Sequence, residues 1–313
     1  MASFTSSGSK FKLNAEFQNF PVTFVNGLRR ISLSQLPTVV IRNVEVLANT
    51  TQMPHEMVKH RMELLPVNVD HLDTETIRNA KIEIRQLPDM EQDHVLTTDD
   101  FVIESGREHL IMKDRDLNTP LLFIKVRKGE EIHVRGTLTV ELGSQVCTTS
   151  TRYHIDPERA KVDKEKYVLE GGDPVVFDNF YIQKSYSVDD IGRPNWIDMS
   201  IESIGVLTSK NILKLAVQKL QSEIDTWMEN AKILRESEEN VYSISQDGDH
   251  TVGSLLQEII YHSKNTEFVS YDILHPLRKE MVLRFLTKQK PEDVLKDAKK
   301  MVHDYCETVS KSL

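Results

Sequence analysis

The segment His55-Glu56-Met57-Val58-Lys59-His60 contains the residue types of a zinc-protease helix. That chemistry needs two histidines four residues apart, so that both side chains lie on one face of the helix and bind the same metal ion. His55 and His60 are five residues apart and therefore point in different directions. The spacing predicts a helix with two unrelated histidines rather than a hydrolytic metal centre.

Three other groups of reactive residues lack the spacing that a catalytic or metal site requires. Asp247-Gly248-Asp249-His250 is acidic but is not followed by the remaining ligands of a calcium loop, which favours a helix cap at Asp249. No glycine-rich phosphate loop surrounds Gly253, which favours close helix packing. Cys147 and Cys306 have no neighbouring histidine and are expected to be inert. We therefore expect no catalytic residue, no metal ion and no cofactor.

The composition narrows the class of protein. The 313 residues predict roughly two domains, and 39% hydrophobic with 28% charged residues is typical of a folded globular chain. No apolar run approaches the roughly 20 residues that span a bilayer, so we expect no membrane contact. Two distant cysteines suit a reducing, intracellular compartment. A net charge of -9 argues against DNA as a direct partner, because phosphate binding requires excess basic charge.

The elements that must position these residues begin with a helix, a strand and a second helix in the first 66 residues. Pro21 suits the start of the first helix, and Pro37 ends it. Residues 38–47 are rich in β-branched side chains and predict a strand. Pro54 opens the second helix, which ends before Pro66. Basic side chains outnumber acidic ones in this region by seven to four, which indicates a protein contact here.

The middle of the chain has a different pattern of apolar and polar residues, and we predict an inserted β-rich domain over residues 68–192. Residues 132–142 alternate apolar and polar side chains, as a half-buried strand does. The alternating charges of residues 161–166 predict a solvated loop. Residues 196–202 alternate again and return the chain to the first sheet, so that residues 1–67 and 193–230 form one discontinuous domain.

Two long helices are predicted to pair within the chain. One precedes a charged linker at residues 231–240, and the other ends a second α+β unit at residues 241–313. The second unit has about 70 residues, where a single core is marginal, so its apolar stripe needs a partner. Each buried aliphatic side chain contributes on the order of 1.5–3 kcal/mol. The residues expected to pair are Leu213, Val217, Leu220 and Ile224 in one helix and Val294, Ala298, Met301 and Tyr305 in the other.

Four motifs in family order resemble the assembly subunits of multisubunit DNA-directed RNA polymerases. Residues 26–31 (Asn-Gly-Leu-Arg-Arg-Ile) and 60–66 (His-Arg-Met-Glu-Leu-Leu-Pro) are similar to the dimerisation region of the bacterial alpha subunit, its alpha-like archaeal counterpart and the third-largest eukaryotic subunit. Residues 250–256 (His-Thr-Val-Gly-Ser-Leu-Leu) and 271–276 (Tyr-Asp-Ile-Leu-His-Pro) resemble the small archaeal partner of that alpha-like subunit. The small-partner motif residues are His250, Thr251, Gly253, Leu256, His275 and Pro276.

The resemblance implies an α+β fold of two alpha-type dimerisation units, paired within one chain, and a non-catalytic platform for transcription. The implied partners are the largest and second-largest polymerase subunits and a small assembly subunit, with DNA contacted only indirectly and no homodimer. The residues implied in docking a large subunit are Arg29, Arg30, His60 and Arg61. The two partners are usually separate chains, and their fusion resembles large DNA viruses, which implies a viral factory in host cytoplasm or nucleus, or packaging in the virion.

Two other functions remain open from the residues alone. A stand-alone scaffold or transcription regulator could reuse the same fold, because a fold does not determine a function. A hydrolase built from the carboxylates and histidines is the third alternative, although no triad or metal spacing supports it. Charge reversal in the helix that contains Arg29 separates the first two alternatives, since only a polymerase subunit would lose assembly.

Overall fold

The computed structural model describes residues 2–89, 91–104, 110–143, 146–263, 266–275 and 277–313. The strands are β1 (Ser3–Gly8), β2 (Lys12–Gln18), β3 (Pro37–Asn49), β4 (Lys81–Gln86), β5 (His94–Thr97), β6 (Val102–Glu104), β7 (Leu122–Val126), β8 (Ile132–Leu142), β9 (Cys147–Tyr153), β10 (Trp196–Ser203), β11 (Leu234–Arg235), β12 (Val241–Asp247), β13 (Thr266–Ile273) and β14 (Glu280–Thr287). The helices are α1 (Val22–Ser34), α2 (His55–Glu63), α3 (Thr74–Asn79), α4 (Pro157–Leu169), α5 (Pro174–Val176), α6 (Ser209–Asn230), α7 (His250–Tyr261) and α8 (Pro291–Lys311).

The chain packs as two compact units. The first comprises Met1–Ser32, Thr149–Glu202 and Ser209–Leu313, and the second comprises Leu33–Thr148 and Ser203–Thr208. The first unit therefore contains both the front of the chain and its tail. These units cut the chain at other residues than the predicted domain boundaries, which stay predictions about sequence modules.

In the first unit, a sheet of order β1-β2-β10-β9 contacts α6 through β2 and α8 through β1. The register pairs Phe17 with Phe4 on one side and with Ile197 on the other, so large apolar side chains meet across the strands. β10 alternates buried and half-buried residues along its length, as a strand with one core face does. The sequence prediction of a return strand at residues 196–202 is confirmed.

The tail of the chain forms a second antiparallel sheet in the same unit, with the order β11-β12-β14-β13. α7 begins at His250 because the carboxylate of Asp249 accepts hydrogen bonds from the backbone N–H groups of Thr251 and Val252 at 3.0 and 2.9 Å. α8 begins at Pro291, whose missing N–H costs nothing at that position. α7 and α8 contact each other, and α7 also packs on β13.

α6 and α8 pack against each other within the first unit, so the two long amphipathic helices are paired in one chain. This confirms the predicted α+β class with two dimerisation units joined through long helices. α6 buries one continuous face because its apolar residues recur every three to four positions. α8 buries a matching face that includes Val302 and Val309.

The second unit has its own core. A sheet of order β3-β8-β4-β6 and a two-stranded sheet of β5 and β7 enclose apolar side chains that include Ile41, Met62, Phe123 and Val134. The long β3–β8 pairing contains two register shifts, between Arg42 and Glu45 and between Val46 and Ala48. β8 spans Ile132–Leu142, as its alternating sequence predicted.

One local prediction was wrong. Residues 161–166, predicted as a solvated loop, lie inside α4. The helix starts at a Pro157 that follows an Asp156 cap, and its face is so polar that Ala160 is its one buried residue. A charge pattern alone does not distinguish a solvated helix from a loop, whereas the Asp-Pro cap signal was available in the sequence.

Candidate protein-interaction surfaces

The front and tail motifs contact each other directly along α1 and α7. The backbone N–H and the hydroxyl of Thr23 both donate to Oε2 of Glu258, at 3.1 and 2.5 Å. Because the acceptor is a carboxylate in a partly buried position, these are charge-assisted hydrogen bonds of the stronger kind. Thr23 and Glu258 are separated by 235 positions in the sequence, so this pair orients the two halves of the unit.

One turn further along the same helix, Gly27 and Arg30 both meet Thr251. A Cβ atom at Gly27 would lie 3.3 Å from Cγ2 of Thr251, so glycine lets the two helices approach closely. Nε of Arg30 donates to Oγ1 of Thr251 at 3.0 Å. The glycine of the front motif and the threonine of the tail motif are therefore in contact.

Aromatic side chains bring α8 into the same contact between the front and the tail of the chain, which we call the seam. The ring of Tyr305 lies 5.2 Å from that of Phe20 and 5.6 Å from that of Phe24, measured between centroids. Phe20 and Phe24 stack on each other at 5.5 Å. Such aromatic contacts contribute about 0.5–1.5 kcal/mol beyond the area that they bury. Burial is also the main reason why the pKa of Tyr305 is raised above its ordinary value.

A polar cluster bridges α6 and α8 at the edge of their apolar contact. Oδ1 of Asp225 lies 2.7 Å from Nε2 of His303 and 3.0 Å from Nζ of Lys299. Nδ1 of the same histidine lies 3.4 Å from Nε2 of Gln221. Burial raises the pKa of Asp225, but the hydrogen bonds from Lys299 and His303 outweigh it and lower the pKa below its ordinary value. The sequence signal for this cluster was the four-residue spacing of Lys299 and His303 on one face of α8.

The predicted pairing residues lie in the two helices that pack together, but they are not equally buried. In α6, all four are buried: Leu213, Val217, Leu220 and Ile224. In α8, Val294 and Ala298 are buried, whereas Met301 and Tyr305 are only half-buried. Val302 and Cys306 occupy the fully buried positions beside them. Each of these neighbouring pairs is apolar on both sides, so the sequence alone does not decide which member faces α6.

The four residues implied in docking have different surroundings. Nε of Arg29 donates to Oδ1 of Asn26 within α1, and Arg30 donates to Thr251 at the seam. Arg61 donates from Nε to the carbonyl of Phe123 at 2.8 Å and from Nη2 to that of Leu122 at 3.1 Å. His60 is exposed. Two of the three arginines therefore make long-range contacts inside their own unit, which sequence spacing could not reveal.

The exposed face of α2 offers a clearer contact surface in the second unit. Met57 is 52% exposed and Leu64, at the end of the helix, is 40% exposed. His60 lies between them at helical spacing, so the three side chains share one face. The opposite face of α2 is anchored by the fully buried Val58 and Met62. We refer to Met57, His60 and Leu64 as the α2 face.

The small-partner motif residues lie both in the core and on the surface of the tail of the chain, residues 241–313. Thr251, Gly253 and Leu256 are buried, and a Cβ atom at Gly253 would lie 2.5 Å from Cδ2 of Tyr271. The exposed His250 places Nδ1 3.3 Å from the hydroxyl of Tyr271. Nδ1 of the exposed His275 accepts from the backbone N–H of Leu277. Pro276 lies outside the described residues.

Within the ranges given above, no group of three or more histidine, cysteine or acidic residues could hold a metal ion. Burial raises the pKa of the Cys147 thiol to about 11 and that of Cys306 to about 12. In the same part of the chain, no helix is both long and apolar enough to cross a bilayer.

Two protein-family models match the chain in succession. Both are described as the RNA polymerase Rpb3/Rpb11 dimerisation domain, and they match residues 14–224 and 244–312. The first match begins in β2 and ends in α6, and the second covers the tail unit from β12 to the end of α8.

Several curated proteins are similar to the chain. A conjugation stage-specific protein of Tetrahymena thermophila is 29% identical over 185 residues, which cover 48% of this chain and 57% of the relative. Subunit 3 of the DNA-directed RNA polymerases II, IV and V of Arabidopsis thaliana is 20% identical over 275 residues, covering 67% of this chain and 85% of the relative. Subunit Rpo3 of the DNA-directed RNA polymerase of Methanosphaera stadtmanae is 26% identical over 162 residues, covering 46% and 57%.

The chain thus spans little more than half of two of these relatives and most of the third. The family model that covers residues 14–224 accounts for more than half of the chain, and the fold described above has the internal helix pairing that a dimerisation domain requires. The chain belongs to the family of the RNA polymerase Rpb3/Rpb11 dimerisation domain.

Proposed function

We propose that this chain is a non-catalytic assembly subunit of a DNA-directed RNA polymerase, on which the two large catalytic subunits dock. The observation that carries the proposal is the contact between the two matched segments, through α1, α6, α7 and α8. The pairing of the two segments alone would form such a platform, so this role requires no catalytic residue. The polymerase subunits among the relatives support the same role.

The chain is proposed to unite in one polypeptide two partners that are separate in other polymerases. Two successive matches to dimerisation domains, 244–312 after 14–224, support this fused arrangement. Joining the partners makes their association intramolecular, at an effective concentration of roughly millimolar. The tail then occupies the pairing surface of the front, which leaves no free surface of that kind for a homodimer.

Within the second unit of the chain, the α2 face is the proposed surface on which a large polymerase subunit docks. Met57 and Leu64 supply exposed apolar contact, and His60 supplies a polar group between them. Interfaces are enriched in methionine and depleted in lysine and glutamate, which suits this face. Arg29 and Arg30 stay candidates on the first unit, but Arg30 also donates to Thr251 and therefore supports the internal seam.

Affinity purification of the tagged full chain from its native source tests the proposal. The largest and second-largest polymerase subunits should co-purify in fixed ratio, together with a small assembly subunit. Recovery of the chain without any polymerase polypeptide would favour a stand-alone scaffold or regulator that reuses the fold.

Two substitutions sharpen the same experiment. Met57→Asp should reduce the recovered large subunit by at least tenfold, because a charge on an apolar docking face costs well over 1.4 kcal/mol. Leu72→Asp is the matched control, since Leu72 is 75% exposed in the same unit and lies outside α2. Equal recovery with both variants would remove the α2 face from the proposal while leaving the polymerase assignment intact.

A viral source is a further part of this proposal. The fused arrangement supports a large DNA virus as the source of the chain. The chain would then act in a viral factory of the host cytoplasm or nucleus and be packaged in the virion. Mass spectrometry of purified particles tests this directly, since the chain should be present together with the large polymerase subunits. A cellular genome that encodes the chain would overturn it.

A further inference from the structure

β9 forms one edge of the sheet β1-β2-β10-β9 in the first unit. Two hydrogen bonds fix how it pairs with β10. The N–H of His154 donates to the carbonyl of Trp196 at 3.0 Å, and the carbonyl of Val146 accepts from the N–H of Ile204 at 3.1 Å. In an antiparallel pair, every second residue exchanges bonds with the neighbouring strand. The even-numbered residues from 146 to 154 therefore face β10.

The odd-numbered residues of β9 point their backbone groups away from the sheet. These are Thr149, Thr151 and Tyr153, and in the described part of the chain no second strand pairs with them. The hydroxyl oxygen of Thr149 is also buried without a hydrogen-bond partner among the described residues. Backbone N–H and C=O groups need a partner or water, so this edge is a template for another strand.

A cleft of about 740 Å³ opens beside the same edge. Thr151 and Tyr153 of β9 line it, together with the first turn of α1 and the helical turn at Ile182–Lys184. Its apolar lining is Val22, Val25, Ile155, Ile182 and Ile197. A cavity of this size is large enough for a side chain and the main chain around it.

The charged groups at the cleft already have partners. Nε of Arg152 lies 3.1 Å from Oδ2 of Asp198, and Oδ2 of Asp178 lies 2.6 Å from Nζ of Lys164. A charged ligand would therefore find no unpaired counter-ion among these residues. An occupant that pairs with the strand edge and places an uncharged apolar side chain in the cleft matches the edge and the apolar lining, while the uncharged side chains of Thr23, Asn26, Asn179 and Gln183 line the rest.

We propose that an extended segment of a partner polypeptide binds this cleft and adds to β9 as a fifth strand of the sheet. Its main chain pairs with Thr149, Thr151 and Tyr153, which span about 13 Å at strand spacing. Its alternate side chains are aliphatic or aromatic and fill the apolar lining, as in other complexes formed by strand addition. This inference goes beyond the assembly role and does not depend on it.

The purified full chain should be used to select binders from a displayed library of random seven-residue peptides. Selected peptides should carry apolar residues at alternate positions, and their affinity is then measured by fluorescence anisotropy. Thr151→Pro removes one outward N–H without removing a bond to β10, and it should weaken binding by at least tenfold. Ile182→Asp should do the same by charging the cleft.

Phe180→Asp is the matched control, because Phe180 is 70% exposed just before the same turn and does not line the cleft. It should leave the affinity unchanged. Since a proline in β9 could also unfold the sheet, N-methylation of alternate peptide amides is tested on the unaltered chain. It should abolish binding in one register and spare it in the other. Failure to select any peptide, or equal binding in both registers, would overturn the proposal.

Discussion

A single glycine in α7 sets how closely the tail helix lies on its sheet. A Cβ atom at Gly253 would stand 2.5 Å from Cδ2 of Tyr271 and 2.7 Å from Sδ of Met281, and Met281 is fully buried. In a helix interior, alanine is otherwise favoured over glycine by about 1 kcal/mol. We expect Gly253→Ala to lower the free energy of unfolding by about 1–3 kcal/mol, measured by urea denaturation.

Gly27→Ala is the natural control for that substitution. Its Cβ would meet Thr251 at 3.3 Å, a contact that a small shift relieves. The gain in helix propensity is the same at both positions. Gly27→Ala should therefore cost less than Gly253→Ala. Equal effects at both glycines would show that helix propensity, and not the approach of Tyr271 and Met281, determines the result.

The two cysteines are predicted to be unreactive in the folded chain. Burial raises the pKa of Cys147 to about 11 and that of Cys306 to about 12, so the thiolate form is scarce at about pH 8. Neither thiol should react with an aromatic disulfide reagent until the protein is unfolded in guanidinium chloride, when both react. Rapid labelling of either one in the native protein would contradict this account.

At the scale of elements, the polar cluster of Asp225, Lys299 and His303 between α6 and α8 makes a contribution to the free energy of unfolding that depends on pH. The pKa of Asp225 is lowered in the folded chain because Lys299 and His303 hold its charged form against the effect of burial. A carboxyl with a lowered folded pKa stabilises the fold above its unfolded pKa of about 3.9, and this stabilisation is lost as the pH falls through the folded value.

Asp225→Asn should therefore reduce stability at neutral pH, and the difference from the unaltered chain should close below about pH 4. Chemical denaturation at a series of pH values measures both. Asp297→Asn is the control, since Asp297 is exposed on α8 and should change stability little at any pH. A difference in stability that stays constant from neutral to acidic pH would mean that the polar cluster does not stabilise the fold through the charge of Asp225.

The apolar contact between the same helices makes a separate prediction. Leu220 and Val302 are fully buried, whereas Met301 is half-buried. Leu220→Asp and Val302→Asp should abolish soluble expression, because each would bury an unpaired charge. Met301→Asp should be tolerated better, since its carboxylate can reach water. The fraction of soluble protein measures this order, and a more severe effect of Met301→Asp would contradict the buried face assigned to α8.

The sequence predicted the elements of this pairing better than their orientation. The stripe of α6 was identified at Leu213, Val217, Leu220 and Ile224 because these apolar residues recur at helical spacing, although Ile212 and Ala216 beside the first two are buried as well. In α8, Met301-Val302 and Tyr305-Cys306 are adjacent apolar residues, and packing with α6 decides between them. The surroundings of Arg30 and Arg61 lie 221 and 62 positions away in sequence, which no local pattern reports.

At the scale of the whole molecule, we predict that the front and tail of the chain are permanent partners. Both belong to the same compact unit, and the seam between them contains buried aliphatic side chains, aromatic contacts and charge-assisted hydrogen bonds. Interfaces with such a core are typical of obligate complexes rather than transient ones. The covalent connection should therefore be dispensable once the chain has folded.

A cut between β11 and β12 tests this expectation. Ser237, Glu238 and Glu239 are exposed there, so a site-specific protease sequence inserted after Glu238 should be cleaved in the folded protein. The two fragments should co-elute on size exclusion at the position of the uncut chain, because the seam holds them together. The same cut in a Thr23→Val, Glu258→Gln variant, which lacks the charge-assisted pair, should release the tail fragment at lower denaturant. Separate elution of the fragments from the otherwise unaltered chain would mean that the tail is held by its connection alone.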